Sequence, residues 1–383
     1  MQLELTDEQQ LIRETAREFA EREILPYVRD WDREEQTDKA LVAKLAEAGF
    51  LGAGWSEEYG GSGLDTVSYC LVVEELGKAD SSVRGIVSVN NGLAGKTIAK
   101  WGTEEQKQEW LPRMASGEGL ACYGLTEPGS GSDAAALQTR AERNGDGWVL
   151  NGSKTFITLG VWAKVALVFA RTGEPGPRGI TCFLVPTDTD GFSAHPIKGK
   201  LGLRAQDTAE LTLEDVRVPD SAMLGEEGKG FRVAMSALDN GRISLGAGCV
   251  GIAQGCVDAC VKYTKERHAF GKPIAAFQLI QELIADMAVE TDAARLLVLR
   301  AAALADKGVQ HTLESSIAKY YASEAAVRAA NSAVQVFGGY GYVDEYPVEK
   351  YLRDARVSTL YEGTSQIQKL IIGRALTGEN AIV

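Results

Sequence analysis

One carboxylate in this sequence stands where proton chemistry could be done. It lies in Tyr361-Glu362-Gly363-Thr364-Ser365-Gln366-Ile367-Gln368, near the C-terminus. Ser365 with Gln368 three residues on has the form of a capping box. Ile367, Leu370, Ile371 and Ala375 then recur at helical spacing, so a helix is expected from Ser365. Glu362 falls on a turn just outside the positive end of that helix, which favours its charged form. Gly363 permits close approach of backbone or ligand. An apolar ligand that expels water would raise the carboxyl's pKa towards that of a working general base. Taken alone, the octet fits a solvated Glu ahead of a helix better; the rest of the chain changes the balance.

Three other stretches have ligand-binding chemistry in them. Tyr123-Gly124-Leu125-Thr126-Glu127-Pro128-Gly129-Ser130-Gly131-Ser132-Asp133 is rich in small residues and hydroxyls, and such a loop exposes the backbone N–H groups a phosphate needs. Its Gly129-x-Gly131-x-x-Ala134 spacing matches the dinucleotide fingerprint formally, but Glu127-Pro128 breaks the strand-to-helix junction and no βαβ alternation follows. Phe156-Ile157-Thr158 offers an aromatic face, an apolar residue and a hydroxyl that would flank a flat ring; alone it reads as cross-strand packing. Arg267-His268-Ala269-Phe270-Gly271-Lys272-Pro273 closes a long helix with cations, which serve the helix dipole or hold a phosphate beside an aromatic ring.

The elements that must position these residues fall in three blocks. Helical patterning fills residues 1–120: a helix from the Thr6–Gln9 capping box to about Pro26, one over Asp38–Ala48 ending at Gly49, then Thr66–Gly77, Val87–Lys100 and Glu104–Ala115. Residues 121–227 read as a β sandwich or barrel. A hairpin on a tight Asn151-Gly152 turn is followed by short runs at Lys164–Arg171, Gly179–Pro186, Phe192–His195 and Glu210–Val218. Residues 228–383 carry long helices over Phe231–Thr264, Phe277–Leu304 and Leu313–Phe337, which with the helix from Ser365 make a four-helix bundle. The expected fold is α+β and multidomain.

Composition limits the partners. The chain has 383 residues, 45% hydrophobic and 24% charged, with a formal charge of −13 that argues against nucleic acid or an anionic membrane as its main partner. No apolar run approaching a bilayer span is read, and the acidic start Met1-Gln2-Leu3-Glu4 is unlike a targeting peptide, so a cytoplasmic enzyme is expected. Six scattered cysteines and three histidines fit neither a disulfide framework nor a zinc site, and no catalytic metal is expected.

Together, Tyr123–Asp133, Asn151–Thr158, Arg267–Pro273, Gln335–Gly341 and Arg353–Gln368 resemble the ordered motif set of the acyl-CoA dehydrogenases, over nearly the full chain. The resemblance implies FAD between the middle and C-terminal domains, reaching a neighbouring subunit of a homotetramer built as a dimer of dimers. It implies flavin and pyrophosphate contacts from Tyr123, Leu125, Thr126, Gly131, Ser132, Phe156, Ile157 and Thr158, with Phe156 in place of the family's usual tryptophan. It implies contacts from the next subunit's Arg267, Phe270, Gln278, Gln335, Gly338 and Gly339, while Thr364 and Gln366 hold the cofactor beside the base. Ser132, Asp239, Arg242, Tyr361, Gly363 and Arg374 match acyl-CoA contacts, and Glu362 matches the catalytic base. Some subfamilies carry that base at the position of Gly241, which is not acidic here.

The implied reaction converts an acyl-CoA to the trans-2-enoyl-CoA: Glu362 takes the α-proton, hydride passes from Cβ to flavin N5, and electrons go on to an electron-transferring flavoprotein. Ser88-Val89-Asn90-Asn91, Gly241-Arg242 and Tyr361 point to a short or branched short acyl chain, with roles in fatty acid β-oxidation or branched-chain amino acid breakdown. The rivals are an acyl-CoA oxidase, a glutaryl-CoA-type dehydrogenase and a non-catalytic acyl-CoA or flavin binder. Arg84 falls where glutaryl-CoA dehydrogenases carry an arginine for the distal carboxylate; because Thr364-Ser365-Gln366 departs from their pattern, a surface position is expected for it.

Overall fold

The computed structural model describes residues 4–381, so the reading of the first three residues lies outside it. The chain is α+β: a helical block, a sheet and a helical bundle, in that order. The first block holds α1 (Asp7–Glu23), α2 (Val28–Glu34), α3 (Ala40–Glu47), α4 (Thr66–Ala79), α5 (Ser81–Ser88), α6 (Lys96–Trp101) and α7 (Glu104–Ala115). The Thr6–Gln9 capping box starts α1 as expected, and Thr103 with Gln106 forms another at α7. Two features differ from the periodicity. A short helix, α2, fills the stretch after Pro26, and the single helix expected over Val87–Lys100 is three pieces: α5, a π-helical segment Val89–Gly95, and α6. Asp80 causes the early start of α5, its carboxylate accepting the N–H groups of Ser82 and Val83.

The middle block is one mixed eight-stranded sheet in the order β6-β7-β3-β2-β4-β5-β8, with β1 parallel to β4. The strands are β1 (Ala121–Gly124), β2 (Arg140–Asn144), β3 (Gly147–Thr158), β4 (Val165–Arg171), β5 (Ile180–Pro186), β6 (Phe192–Pro196), β7 (Thr208–Pro219) and β8 (Met223–Leu224). The hairpin expected at Asn151-Gly152 is not there. β3 runs straight through both residues, and the turn lies between Asn144 and Gly147. Asn151 instead exchanges hydrogen bonds with Asp215 across a bulge in the β3–β7 register. Gly152 sits so close to Thr139 that a Cβ would collide with it.

The last block is α8 (Gly230–Glu266), α9 (Gln278–Asp306), α10 (Thr312–Phe337), α11 (Val348–Val357) and α12 (Ser365–Thr377), with a two-strand hairpin, β9 (His268–Ala269) and β10 (Lys272–Pro273), between α8 and α9. α8 is long and apolar enough by composition to cross a bilayer, contrary to the sequence expectation, but 83% of its apolar window is buried in the fold. It is the central helix of the bundle. One buried knot ties the blocks together. Lys350 of α11 lies 2.9 Å from Asp80 at the start of α5 and 2.5 Å from Asp354, which also accepts the Leu203 N–H from the sheet block.

Candidate active site

The turn before α12 is held in an unusual shape. Glu362 has φ = 54° and Gly363 φ = 90°. A glutamate in the left-handed region costs ~1–2 kcal/mol, so its neighbours must hold it there. Buried Lys319 of α10 donates from Nζ to the Gly363 carbonyl at 2.7 Å. Gln368 Nε2 donates to the carbonyls of Glu362 (3.2 Å) and Gly363 (3.1 Å). The capping box expected from Ser365 and Gln368 is therefore absent: Gln368 is engaged with the turn, and Ser365 donates to Glu324 Oε1 at 2.6 Å. Thr364 is the N-cap, its hydroxyl accepting the Ile367 N–H at 3.2 Å.

The carboxyl group points inward. Glu362 is half-buried as a residue, but its Oε2 is shielded from solvent and takes no hydrogen bond. It lies against Gly241 of α8, where a Cβ would collide with Oε2 and with Leu93 Cδ2. Burial pushes the Glu362 pKa up; the charges of Arg84, Lys319 and Arg242 oppose this without cancelling it. The Glu362 backbone N–H makes no hydrogen bond to any described residue.

Arg84 is not a surface residue. All of α5 is buried, and Arg84 is 3% exposed, with Nη2 donating to Tyr361 Oη at 2.8 Å and Nε unpartnered. Burial pushes the Tyr361 hydroxyl up to about 12, against the pull of Arg84. Val83, Ile86 and Val87 are buried on the same helix, which the sequence reading did not assign. Nearby, a hydroxyl chain crosses from α4 to α8 and α5: Tyr69 and Ser244 lie 3.3 Å apart, and Ser244 donates to Ser88 at 3.0 Å.

On the bundle side, Arg242 and Asp239 pair at 2.8 Å, and Thr312 donates to Asp239 at 2.8 Å. Thr312 and Arg374 both line a cavity of 370 Å³, so Asp239, Arg242 and Arg374 form one connected region. Ser132 is exposed on its loop.

On the sheet side, buried Tyr123 of β1 feels the Glu362 charge, while Leu125 and Thr126 follow directly and the Thr126 carbonyl accepts the Thr155 N–H. Under this loop Lys154, fully buried, donates to Glu127 at 2.7 Å and to the carbonyls of Phe169 and Leu125. Phe156 stands at the bulge with φ = 58° and 69% exposed; Ile157 is buried, and the Thr158 hydroxyl accepts from Gln206 at 2.9 Å. Gly131, on the exposed loop, has nothing within 4 Å of where a Cβ would stand.

Arg267, Gly338 and Gly339 line a different cavity of 490 Å³, with Tyr340 and Phe337. Phe270 on the β9–β10 hairpin is 95% exposed, and Gln278 and Gln335 are exposed at the same end of the bundle. Gln366 is also exposed. Uncovered aromatic faces at Phe156 and Phe270, with open glycine edges at Gly131, Gly338 and Gly339, fit a flat cofactor that carries phosphates.

Three sequence profiles match in order: "Acyl-CoA dehydrogenase, N-terminal domain" over residues 6–118, "middle domain" over 122–216 and "C-terminal domain" over 228–377. The chain belongs to the acyl-CoA dehydrogenase family. A probable acyl-CoA dehydrogenase of Bacillus subtilis, YngJ, is 47% identical, with 98% of this chain and 100% of that protein covered. The mitochondrial short-chain specific acyl-CoA dehydrogenase of Mus musculus is 45% identical, over 97% of this chain and 90% of that one. A chain from the structural study of the electron transferring flavoprotein of Acidaminococcus fermentans is 45% identical with a TM-score of 0.97, covering 99% and 100% of the two chains. A glutaryl-CoA dehydrogenase from Mycobacterium smegmatis, solved with FADH2, is 38% identical with a TM-score of 0.95, covering 99% and 97%.

Sequence reasoning missed four residues that shape this acyl-CoA dehydrogenase site: Lys319, Gln206, and the pair Lys154 and Glu127. Only Lys319 had a readable signal. It shares a helix face with Ser315, Ala322 and Ala326, a stripe of small residues where a lone lysine is out of place.

Proposed function

We propose that the protein catalyses FAD-dependent α,β-dehydrogenation of a short or branched short acyl-CoA, with Glu362 as the base. One observation carries this reading: among the described residues, nothing bonds the buried Glu362 Oε2 or the backbone N–H of the turn that carries it. When bound, FAD would accept the hydride from the β-carbon. Tyr123 to Ser132, Phe156 to Thr158, Thr364 and Gln366 would hold it from one chain, and Arg267, Phe270, Gln278, Gln335, Gly338 and Gly339 from the next. Asp239, Arg242 and Arg374 would carry the CoA portion.

The chain's own residues do the proton chemistry. An α-proton of a thioester is too weakly acidic for an unaided carboxylate, so the developing charge on the thioester oxygen needs a donor. The free Glu362 N–H is suited to that role, and losing one such donor typically costs ~3–4 kcal/mol of barrier. Burial raises the basicity of Glu362, and Arg84, Lys319 and Arg242 keep it ionised enough to accept the proton.

The resemblance to the Acidaminococcus structure and to bacterial dehydrogenases supports an electron-transferring flavoprotein as acceptor, and a cytoplasmic homotetramer completes the reading. Anaerobic mixing with a panel of acyl-CoA thioesters, scored by flavin bleaching, tests the function. Bleaching by butyryl-CoA or its branched analogues is expected, and none with any thioester would contradict it. Prompt peroxide on aerobic turnover would favour an oxidase.

A specific observation favours a second substrate reading. Arg84 is a buried cation with an unpartnered Nε, in no salt bridge among the described residues, and bonded to the Tyr361 hydroxyl. A purely alkyl chain would leave its Nε without a hydrogen-bond acceptor, whereas an acyl group with a distal carboxylate would pair with it. Thioesters of dicarboxylic acids therefore belong in the panel.

A further inference from the structure

We infer that Lys319 is a positioning residue for the base, fastening the Glu362-Gly363 turn from α10 and placing a buried ammonium beneath it. The inference rests on Glu362 being the base. Lys319 is 0% exposed, and its Nζ donates to the Gly363 carbonyl at 2.7 Å. Among the described residues it makes no ion pair: Glu324, five residues along α10, accepts from Ser365. Burial lowers the Lys319 pKa to about 8, opposed by Cys249, by Glu362 and, more weakly, by Glu324. A buried ammonium without a salt bridge is costly and is kept only where it serves something. Here it serves two consecutive residues at positive φ, a shape that a glutamate does not adopt unaided.

Three cations face the Glu362 carboxyl, each from a different helix: Arg84 on α5, Arg242 on α8 and Lys319 on α10. Its other titratable neighbours are Tyr361 on the turn itself, Tyr123 on β1 and Cys249 on α8. Arg84 is bonded to Tyr361 and Arg242 to Asp239, so both have partners of their own. Lys319 alone among the three donates to the backbone of the turn that carries the base.

The test uses FAD-loaded wild type with Lys319→Met, Lys319→Gln and Glu362→Gln, each followed anaerobically by flavin bleaching from pH 6 to 9.5. Lys319→Met should slow bleaching at neutral pH by at least about tenfold, because the base is both less ionised and less well held. The acid limb of its pH profile should move to higher pH, with the KM for acyl-CoA little changed. Lys319→Gln keeps a donor without the charge, so it should shift the acid limb similarly and recover most of the high-pH rate. An unmoved acid limb in both variants would overturn the inference. So would failure of both to form holoenzyme, which would assign the lysine to the fold. If Glu362→Gln bleaches normally, the base reading itself fails; if it is inert while the lysine variants behave as wild type, only this inference does.

Discussion

Gly241 of α8 and the carboxylate of Glu362 occupy adjoining space with no room for a further atom: a Cβ on residue 241 would overlap Oε2. The glycine therefore does more than lack an acid; it makes room for one that arrives from elsewhere in the chain. Gly241→Ala should keep its FAD and displace the carboxylate. Anaerobic flavin reduction should slow by roughly 10²-fold, the effect of a misplacement of about 1 Å. Wild-type rates in that variant would mean the carboxylate is not where the reaction occurs.

Arg84 is where the two substrate readings separate. If it receives a distal carboxylate, Arg84→Gln should lower the rate ratio of carboxylated to plain acyl-CoA by about 10- to 10²-fold, the worth of a hydrogen bond to a charged group. Steady-state kcat/KM with a matched pair of thioesters measures it. An unchanged ratio would leave Arg84 as a support for Tyr361 and favour the alkyl substrate.

The buried Lys154–Glu127 pair should matter to the fold first. Lys154→Met leaves Glu127 as an uncompensated internal charge and should cost ~3–5 kcal/mol, read as a lowered midpoint in denaturant. Adding Glu127→Gln should recover part of that loss. Because the pair lies under the Tyr123–Ser132 loop, the single variant should also release FAD more readily.

Stability should carry the mark of Glu362. Its folded pKa is raised above the ordinary value of 4.5, so the folded state holds this proton more tightly than the unfolded state. Its contribution is fully present below about pH 4.5 and is lost as pH rises through the folded pKa. Glu362→Gln, neutral throughout, should therefore melt higher than wild type at neutral pH and converge with it in acid. A lower melting point at pH 7 would contradict the burial of this carboxyl.

What could be read from the sequence divides along a physical line. Helix periodicity and capping chemistry placed α1, α4, α7 and the long bundle helices, because these signals are local. Asn151-Gly152 misled for the same reason: the dipeptide prefers a tight turn, but pairing with Asp215 across the sheet holds it in a bulge. The positions of Arg84 and Lys319 depend on packing between helices far apart in sequence. Nothing local says that a charged side chain in either faces inward. The residues Arg267 and Phe270 are legible only through family resemblance, and Arg267 lines a cavity that Glu362 does not.

The most direct measurement is rapid anaerobic mixing of Glu362→Gln holoenzyme with an acyl-CoA that bleaches the wild type. The account predicts that the variant retains FAD and binds the thioester but leaves the flavin oxidised, since the glutamine occupies the same space and cannot take the α-proton. Bleaching at the wild-type rate would contradict it.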